Sequence, residues 1–320
     1  IGRLHFYFRN GKYQDKRNDI INVKDKVIEF ETGNVLIGSV SRLYMSNKCL
    51  LIADHKSVDK QIHIFNKNDF SYLTSIGNFG EGPEEITVMG CLAIDEAHHQ
   101  LYVSDHAKQK IFSYDMDSVM VDSLYKPQVK TAMNETLFPS EYQYINDTLS
   151  IAVLIKPTST STFNQFLGRW NMNTGEMIPM KYTHPDIQKK RITFAASEKA
   201  GIYVECYTRH DLMTICSLDG ELLYNIYGPD WDGGNGNKLQ SFGTVMIGND
   251  KIFVSYCGED YARDSFPTKI LVFDLEGNYL KTLETGYKIS DCCYDSFNNR
   301  IILSLNDVVQ FAYLDIDGII

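Results

Sequence analysis

The sequence predicts an all-β fold, a six-bladed β-propeller whose blades each hold four antiparallel strands. Three observations predict it: a strand motif that recurs at a nearly constant interval, a turn motif that follows each copy, and a last unit that lacks its final strand. Units of about 40–50 residues that hold several short strands are typical of propeller blades. Each repeat is therefore interpreted as one blade.

The first motif is a short strand with alternating large and small residues, clearest at residues 101–105 (LYVSD). Such alternation, in a segment rich in β-forming residues, is typical of a half-buried strand. Its copies end at six positions, with successive intervals of 51, 49, 52, 50 and 49 residues: Asp54, Asp105, Leu154, Cys206, Tyr256 and Leu305. Six copies at this spacing account for nearly the whole chain.

The second motif is a strand end followed by polar turn residues. Its copies begin at Ile64, Ser113, Arg169, Ile215, Val272 and Tyr313. Glycine follows closely in four of them, at Gly175, Gly220, Gly277 and Gly318. Asx residues and glycine suit such turns because they tolerate left-handed backbone angles. This motif predicts the end of the third strand in each blade.

The last unit stops at residues 317–320, where its outer strand should begin. An unpaired sheet edge invites aggregation, so another segment should cover it. Residues 20–30 (IINVKDKVIEF) precede the first unit and are free to do so. We predict a ring closed by an N-terminal strand that completes blade six. The predicted organisation is a lead-in or tether over residues 1–19 and a single propeller domain over residues 20–320.

Composition excludes several classes of partner. The net charge is -10 and no block of Lys and Arg occurs, which disfavours nucleic acid and anionic membranes. The seven cysteines form no CxxC pair, so we expect small buried apolar groups rather than a disulfide framework. No apolar run reaches the roughly 18 residues of a transmembrane helix. We expect a monomer without cofactor or metal.

Two motifs resemble those of six-bladed propellers of the NHL and TolB-like type. They are D-x-x-x-x-K-I at residues 105–111 and G-x-x-G-x-G-P at residues 77–83. The chain after residue 20 is similar to an exported, uncharacterised group from Bacteroidetes. The resemblance implies export to the periplasm or cell surface, with a lipid anchor upstream of Ile1, although no lipobox Cys is present. Among the better-known relatives, some bind proteins or RNA and others are calcium-dependent lactonases.

Histidines recur at one point of the repeat. His55 and His106 each follow an Asp at the end of the second strand of a blade, and Arg209 and His210 lie nearby in blade four. Neutral imidazoles at a channel mouth would suit a metal ion. The alternative is that each Asp caps its turn and each His is exposed. Repetition favours this structural interpretation, because a structural role recurs with the fold and a site seldom does.

The residues that begin each innermost strand are predicted to line the propeller axis. They include Arg42, Glu141, Tyr142 and Asp291. Glu141 and Asp291 are the only carboxylates at these positions, too few for calcium, which prefers six to eight oxygens. An acid and base pair could still serve a lactonase-like hydrolase or lyase in the central channel. No nucleophile or metal signature supports that alternative.

The loops between the second and third strands are longest in blades three, four and five. The blade-five loop, residues 257–269, is predicted to be exposed, and with the preceding residue it offers Tyr256, Tyr261 and Arg263. Tyr and Arg are enriched at binding hot spots. Function tends to sit in loops that exceed what the scaffold needs. The sequence therefore favours a non-enzymatic binding or scaffolding protein, whose protein or carbohydrate ligand meets this long-loop face.

Overall fold

The computed structural model describes residues 10–236 and 238–320. The aromatic part of the predicted lead-in, residues 4–8, lies outside the described residues. The described chain forms 26 strands in six sheets, and each sheet contains four strands in antiparallel sequence. The predicted six-bladed β-propeller is confirmed.

Blades one to three follow one another along the chain. Blade one contains β4 (Ser41–Met45), β5 (Cys49–Asp54), β6 (Lys60–Asn66) and β7 (Tyr72–Asn78). Blade two contains β8 (Met89–Asp95), β9 (Gln100–Asp105), β10 (Lys110–Asp115) and β11 (Gln128–Ala132), with helix α1 (Met116–Val121) before β11. Blade three contains β12 (Phe138–Asn146), β13 (Leu149–Pro157), β14 (Phe163–Trp170) and β15 (Met177–Pro179).

The remaining blades use the C-terminal half and the N-terminal segment. Blade four contains β16 (Ile192–Ser197), β17 (Ile202–Tyr207), β18 (Leu212–Ser217) and β19 (Leu222–Tyr227). Blade five contains β20 (Leu239–Gly248), β21 (Lys251–Asp260), β22 (Lys269–Asp274) and β23 (Tyr279–Glu284). Blade six contains β24 (Ile289–Asp295), β25 (Arg300–Leu305) and β26 (Phe311–Asp315). Three short N-terminal strands join these blades: β1 (Gly11–Tyr13), β2 (Ile20–Asn22) and β3 (Ile28–Glu29).

Two compact units divide the chain. The first unit, Phe30–Pro179, holds blades one to three, and the second joins the residues up to Glu29 to Met180–Ile320 and holds blades four to six. In the first unit, Leu101 and Val103 of β9 pack into the core shared with blade one, whereas Tyr102 packs into the core shared with blade three. Successive side chains of a strand point to opposite faces, so a central strand between two blades is apolar on both.

The same rule shapes the second unit. Ile252 and Val254 of β21 pack with blade four, and Phe253 between them packs into the core that contains blade-six strands. The described residues contain no helix long and apolar enough to cross a membrane. All seven cysteines are free and buried, as expected, and burial raises the pKa of their thiols.

The N-terminal segment, residues 10–29, runs along the outer strands of three blades, and we call it the strap. β1 pairs in parallel with β19 of blade four, and β2 pairs in parallel with β23 of blade five. β3 pairs antiparallel with β26, Glu29 opposite Ala312, and so supplies the fourth strand of blade six. Closure by an N-terminal strand is confirmed. The two parallel additions, which give blades four and five a fifth strand, were missed by the sequence analysis.

A buried ion pair fixes the strap between its strands. The Arg17 guanidinium lies 2.6 Å from the Asp211 carboxylate, and the two side chains are 6% and 0% exposed. The same guanidinium lies 5.6 Å from the ring centres of Tyr256 and Phe273. Asp211 also accepts the backbone N–H of Asp230. The charge of Arg17 is thus paired inside the fold, 194 residues from its partner in sequence.

Candidate functional site

The blade-five loop is shorter than the sequence predicts. β20 and β21 remain paired as far as Leu239 opposite Asp260, and a 3₁₀ turn at Tyr261–Arg263 follows. Tyr256, which lies in the strand as predicted, is only 4% exposed, so its prediction as a surface residue was wrong. Strand pairing satisfies the backbone in a segment that composition alone assigns to a loop.

The exposed part of this loop presents aromatic and charged side chains. Tyr261 is 47% exposed and Phe266 is 39% exposed. The Arg209 guanidinium, from the corresponding loop of blade four, lies 3.8 Å from the Tyr261 ring centre, which is a cation–π contact. Arg263 pairs with Glu259 at 3.2 Å on the surface. The structure therefore brings together Arg209 and Tyr261, and with Arg263 they form the surface that we call the loop patch.

Two arginines of blade four lie near each other beside the loop patch. Burial and the neighbouring charge of Arg209 together lower the pKa of Arg191. Lys190 pairs with Glu205 at 3.0 Å in a largely buried position, and Lys189 is exposed. Arg191 and Arg209 are thus two neighbouring cations on a chain of net charge -10, and such a pair favours a carboxylate group on a partner.

His210 is buried in the loop between β17 and β18, where Trp231 and Gly236 pack against its ring. Its side chain is 5% exposed and its ring lies 6.0 Å from the ring of Trp231. The Nδ1 atom has no hydrogen-bond partner among the described residues and lies 3.9 Å from the Asp232 carboxylate. Gly236 packs against the ring so closely that an added Cβ would lie 2.0 Å from Cε1. The expectation that this histidine is exposed was wrong.

His55 and His106 are half-buried, whereas the structural interpretation of the sequence expected both side chains to be exposed. The Nε2 atom of His55 lies 3.2 Å from the carbonyl oxygen of Gly90, and the His106 ring packs edge-on against Phe138, 4.7 Å between centres. Burial lowers the pKa of both imidazoles.

The aspartates that precede these histidines have the turn role expected of them. Asp54 accepts the N–H groups of Lys56 and Gly38, and Asp105 accepts those of Thr87 and Ala107. Each carboxylate therefore joins the end of its second strand to the link that enters the same blade.

Arg42 and Glu141 form an ion pair in the first unit. The two side chains are 37% and 42% exposed, so the pair is accessible to solvent. Tyr142, the next candidate, is 4% exposed and packs edge-on against Trp170 at 5.1 Å. It is a core residue, and its prediction as a lining residue was wrong because the strand alternation places it between blades.

Asp291 belongs to the second unit and is 7% exposed. It accepts a hydrogen bond from the Thr244 hydroxyl at 2.8 Å. Each of the two carboxylates considered for acid–base chemistry is thus engaged, Glu141 by a guanidinium and Asp291 by a hydroxyl. Their geometry singles out neither group as a general acid or base.

One group of potential metal ligands was missed by the sequence analysis. Oxygen and nitrogen atoms of Asp95, His98 and Asp147 lie within 4.8 Å of one another. His98 Nδ1 lies 2.8 Å from Asp95, and at the equivalent turn of blade six the Asn298 amide lies 2.7 Å from Asp295. Asparagine replaces the histidine without loss of the contact, so the motif D-x-x-[HN] is a turn device.

Buried histidines predict acid sensitivity. Burial is the leading cause that lowers the pKa of five of the eight histidines, namely His55, His63, His106, His184 and His210. Such groups stay neutral in the fold but take protons in the unfolded chain below about pH 6.5, so stability falls as the pH drops through that value. We expect the urea midpoint to decrease between pH 7.5 and 5.5.

His98 has the opposite effect on the pH dependence of stability, because its hydrogen bond to Asp95 raises the pKa of its own imidazole. The stabilisation that His98 provides is present below about pH 6.5 and is lost as the pH rises through the folded-state pKa of this histidine. The variant His98→Asn keeps the turn contact and removes this opposing titration, so its acid sensitivity should be greater. A urea midpoint that is constant or higher at pH 5.5 would contradict the prediction.

Comparison with known proteins shows the fold. Residues 10–165 match a family model described as a 6-bladed beta-propeller, DUF5128. No curated protein matches the chain. A Bacteroides fragilis protein, described as a predicted exported protein, has a similar structure with a TM-score of 0.58 and 13% identity over 92% of this chain and 88% of its own.

Two further solved structures are similar. A member of the DUF4221 family from Bacteroides vulgatus has a TM-score of 0.56 and 10% identity, over 94% of this chain and 98% of its own. The β-propeller domain of Myceliophthora thermophila Cps50 (Swd1) has a TM-score of 0.55 and 10% identity, over 90% and 98% respectively. At such identities the likeness concerns the fold alone.

Proposed function

We propose that this chain is an exported, non-enzymatic binding or scaffolding protein that holds an acidic protein partner on its loop patch. The observation that carries the proposal is the contact between Arg209 and the half-exposed ring of Tyr261, which joins the loops of blades four and five. Export is supported by the likeness to the Bacteroides fragilis protein and by the sequence resemblance to exported propellers.

The loop patch has the composition of a binding hot spot. Tyr and Arg supply large contact areas and charge-assisted hydrogen bonds at protein interfaces. Arg209 is held against Tyr261, so less side-chain entropy is lost when a partner binds. Phe266 adds an exposed apolar ring to the same loop.

The neighbouring cations define the chemistry of the partner. Arg191 and Arg209 are close enough to affect each other electrostatically, and Lys189, two residues before Arg191, is exposed. A carboxylate-rich surface would gain both steering and charge-assisted hydrogen bonds here. A protein is favoured over a carbohydrate because the aromatic rings are carried on a loop rather than inside a cleft, and hot-spot side chains on loops suit a second protein surface.

Site-specific cross-linking tests the proposal. A photoreactive phenylalanine analogue at Tyr261 should cross-link a partner in the native host, and the same analogue at Ile178 in blade three, which is 51% exposed, serves as the control. The partner is then purified, and its affinity is measured with Arg209→Ala and Tyr261→Ala variants. We expect each to weaken binding about 30-fold, the usual effect of a hot-spot side chain of ~2 kcal/mol.

Three outcomes decide between the interpretations. Salt-sensitive binding of an acidic protein that both variants weaken supports the proposal. A cross-linked glycan would show a carbohydrate ligand instead. Equal cross-linking from Ile178, or unchanged affinity in well-folded variants, would place the site elsewhere.

A further inference from the structure

A cavity of 510 Å³ lies between the turns of blades one and two, within the first unit. Its floor is apolar and is formed by Leu51, Ile94, Leu101, Met116 and Met120. This volume falls in the range of small-molecule sites, roughly 300–1,000 Å³. The cavity shares no residue with the loop patch, so its ligand is independent of the function proposed for that surface.

Helix α1 builds one wall of the cavity. The connection from β10 to β11 spans residues 116–127, whereas the corresponding connection of blade one spans residues 67–71. Asp115 caps the helix by accepting the Ser118 N–H at 2.8 Å. Met116 and Met120 are four residues apart, so they lie on one face of the helix, and both line the cavity. Methionine adapts its shape to irregular apolar ligands.

The rim of the cavity is acidic. Asp95, Glu96 and Asp117 line it together with one lysine, Lys48, and one histidine, His99. The backbone N–H of Asn47 holds Glu96 at 2.7 Å, and Glu96 and Asp117 are both exposed. Asp95 is engaged by Tyr102 and His98, and His99 Nδ1 lies 3.1 Å from the Asp117 carboxylate. The Asp117 side chain is still 78% exposed, so Glu96 and Asp117 both present carboxylate oxygens to a ligand.

We infer that this cavity binds a small amphipathic cation. The apolar body of the ligand lies against the leucine, isoleucine and methionine side chains, and its ammonium group lies at the rim beside Glu96 and Asp117. Apolar burial supplies the affinity, and the excess of carboxylates over cations selects the sign of the head group. An anionic amphiphile of the same length meets the same floor but is repelled at the rim.

Calorimetric titration with three probes of equal chain length tests this inference. The probes are n-octylammonium, n-octanol and n-octanoate, each below the concentration at which it forms micelles. We expect n-octylammonium to bind most tightly and n-octanoate most weakly. The double variant Glu96→Gln/Asp117→Asn should weaken n-octylammonium about tenfold, the effect of 1.4 kcal/mol, and leave n-octanol unchanged.

Two controls separate the cavity from general effects. Glu176→Gln/Glu198→Gln changes the net charge equally at exposed positions outside the cavity, so it should leave the affinity for n-octylammonium unchanged. Met120→Trp fills the cavity and should abolish binding of all three probes. Leu73→Trp, at another lining position, does the same if Met120→Trp fails to fold.

Three results would overturn the inference. One is equal affinity for n-octylammonium and n-octanoate in the unaltered protein. Another is loss of cation binding in the Glu176→Gln/Glu198→Gln control to the same extent as in the rim variant. The third is retention of binding in a folded cavity-filling variant, which would place the probes on another apolar surface.

Discussion

Removal of residues 1–29 is expected to abolish cooperative unfolding and to cause aggregation. The deletion exposes the outer edges of β19, β23 and β26 at once, and open edges template pairing between chains. It also removes Val23, which is fully buried in the core of blades five and six, and leaves the carboxylate of Asp211 buried without its cation. Circular dichroism melting and light scattering after gel filtration measure both effects.

A peptide of residues 10–29 provides the control for this deletion. Added in trans, it should restore part of the cooperativity, because it supplies the same strands and the same arginine. Scrambling the peptide should remove the rescue. If the truncated chain melts like the full chain and stays monomeric, the strap contributes little to the free energy of unfolding, even though its strands are hydrogen-bonded to three blades.

Arg17→Ala is expected to destabilise the protein by about 3–5 kcal/mol, the usual cost of leaving a buried charge unpaired. Asp211 is fully buried and also receives the Tyr256 hydroxyl, so its carboxylate cannot regain water when the guanidinium is removed. Asp211→Ala should cost a similar amount, since Arg17 is then unpaired. Urea unfolding monitored by circular dichroism measures these changes.

A double-mutant cycle separates the ion pair from its surroundings. Arg17→Ala/Asp211→Ala should cost less than the sum of the single variants, because it leaves no unpaired charge. Lys181 and Glu221 form an exposed pair at 2.8 Å in the same unit and serve as the matched control. Breaking that pair should cost less than about 1 kcal/mol. Additive effects at Arg17 and Asp211 would show that the pair does not couple the strap to blade four.

The architecture could be predicted from the sequence because it rests on local patterns. Alternation in segments such as LYVSD marks a strand wherever it occurs, and the near-constant interval of 49–52 residues repeats it six times. The last unit lacks an outer strand, so another segment had to pair with its open edge, and residues 20–30 were available. Each of these inferences uses neighbours in sequence or a simple count of strands.

The candidate sites could be predicted only in part. Arg42 and Glu141 were predicted at equivalent positions of the innermost strands, whereas Arg209 and Tyr261 were predicted separately in the loops of blades four and five. The structure places the members of each pair in contact. Repeat position does not report burial, however. The predictions for Tyr142, His210 and Tyr256 failed because the alternation of a strand or the packing of a glycine against a ring decides exposure.

The number of blades, the order of their strands and the segment that closes the ring are therefore encoded in local sequence patterns. Which charges are buried and where cavities form emerged only from the folded chain. In the sequence Arg17 is one of several charged residues of the predicted lead-in, and nothing there identifies its partner. In the structure it pairs with Asp211, 194 residues away. The cavity beside α1 likewise depends on side chains of two blades. Such features arise from contacts between segments distant in the chain, and neither composition nor periodicity encodes which distant segments meet.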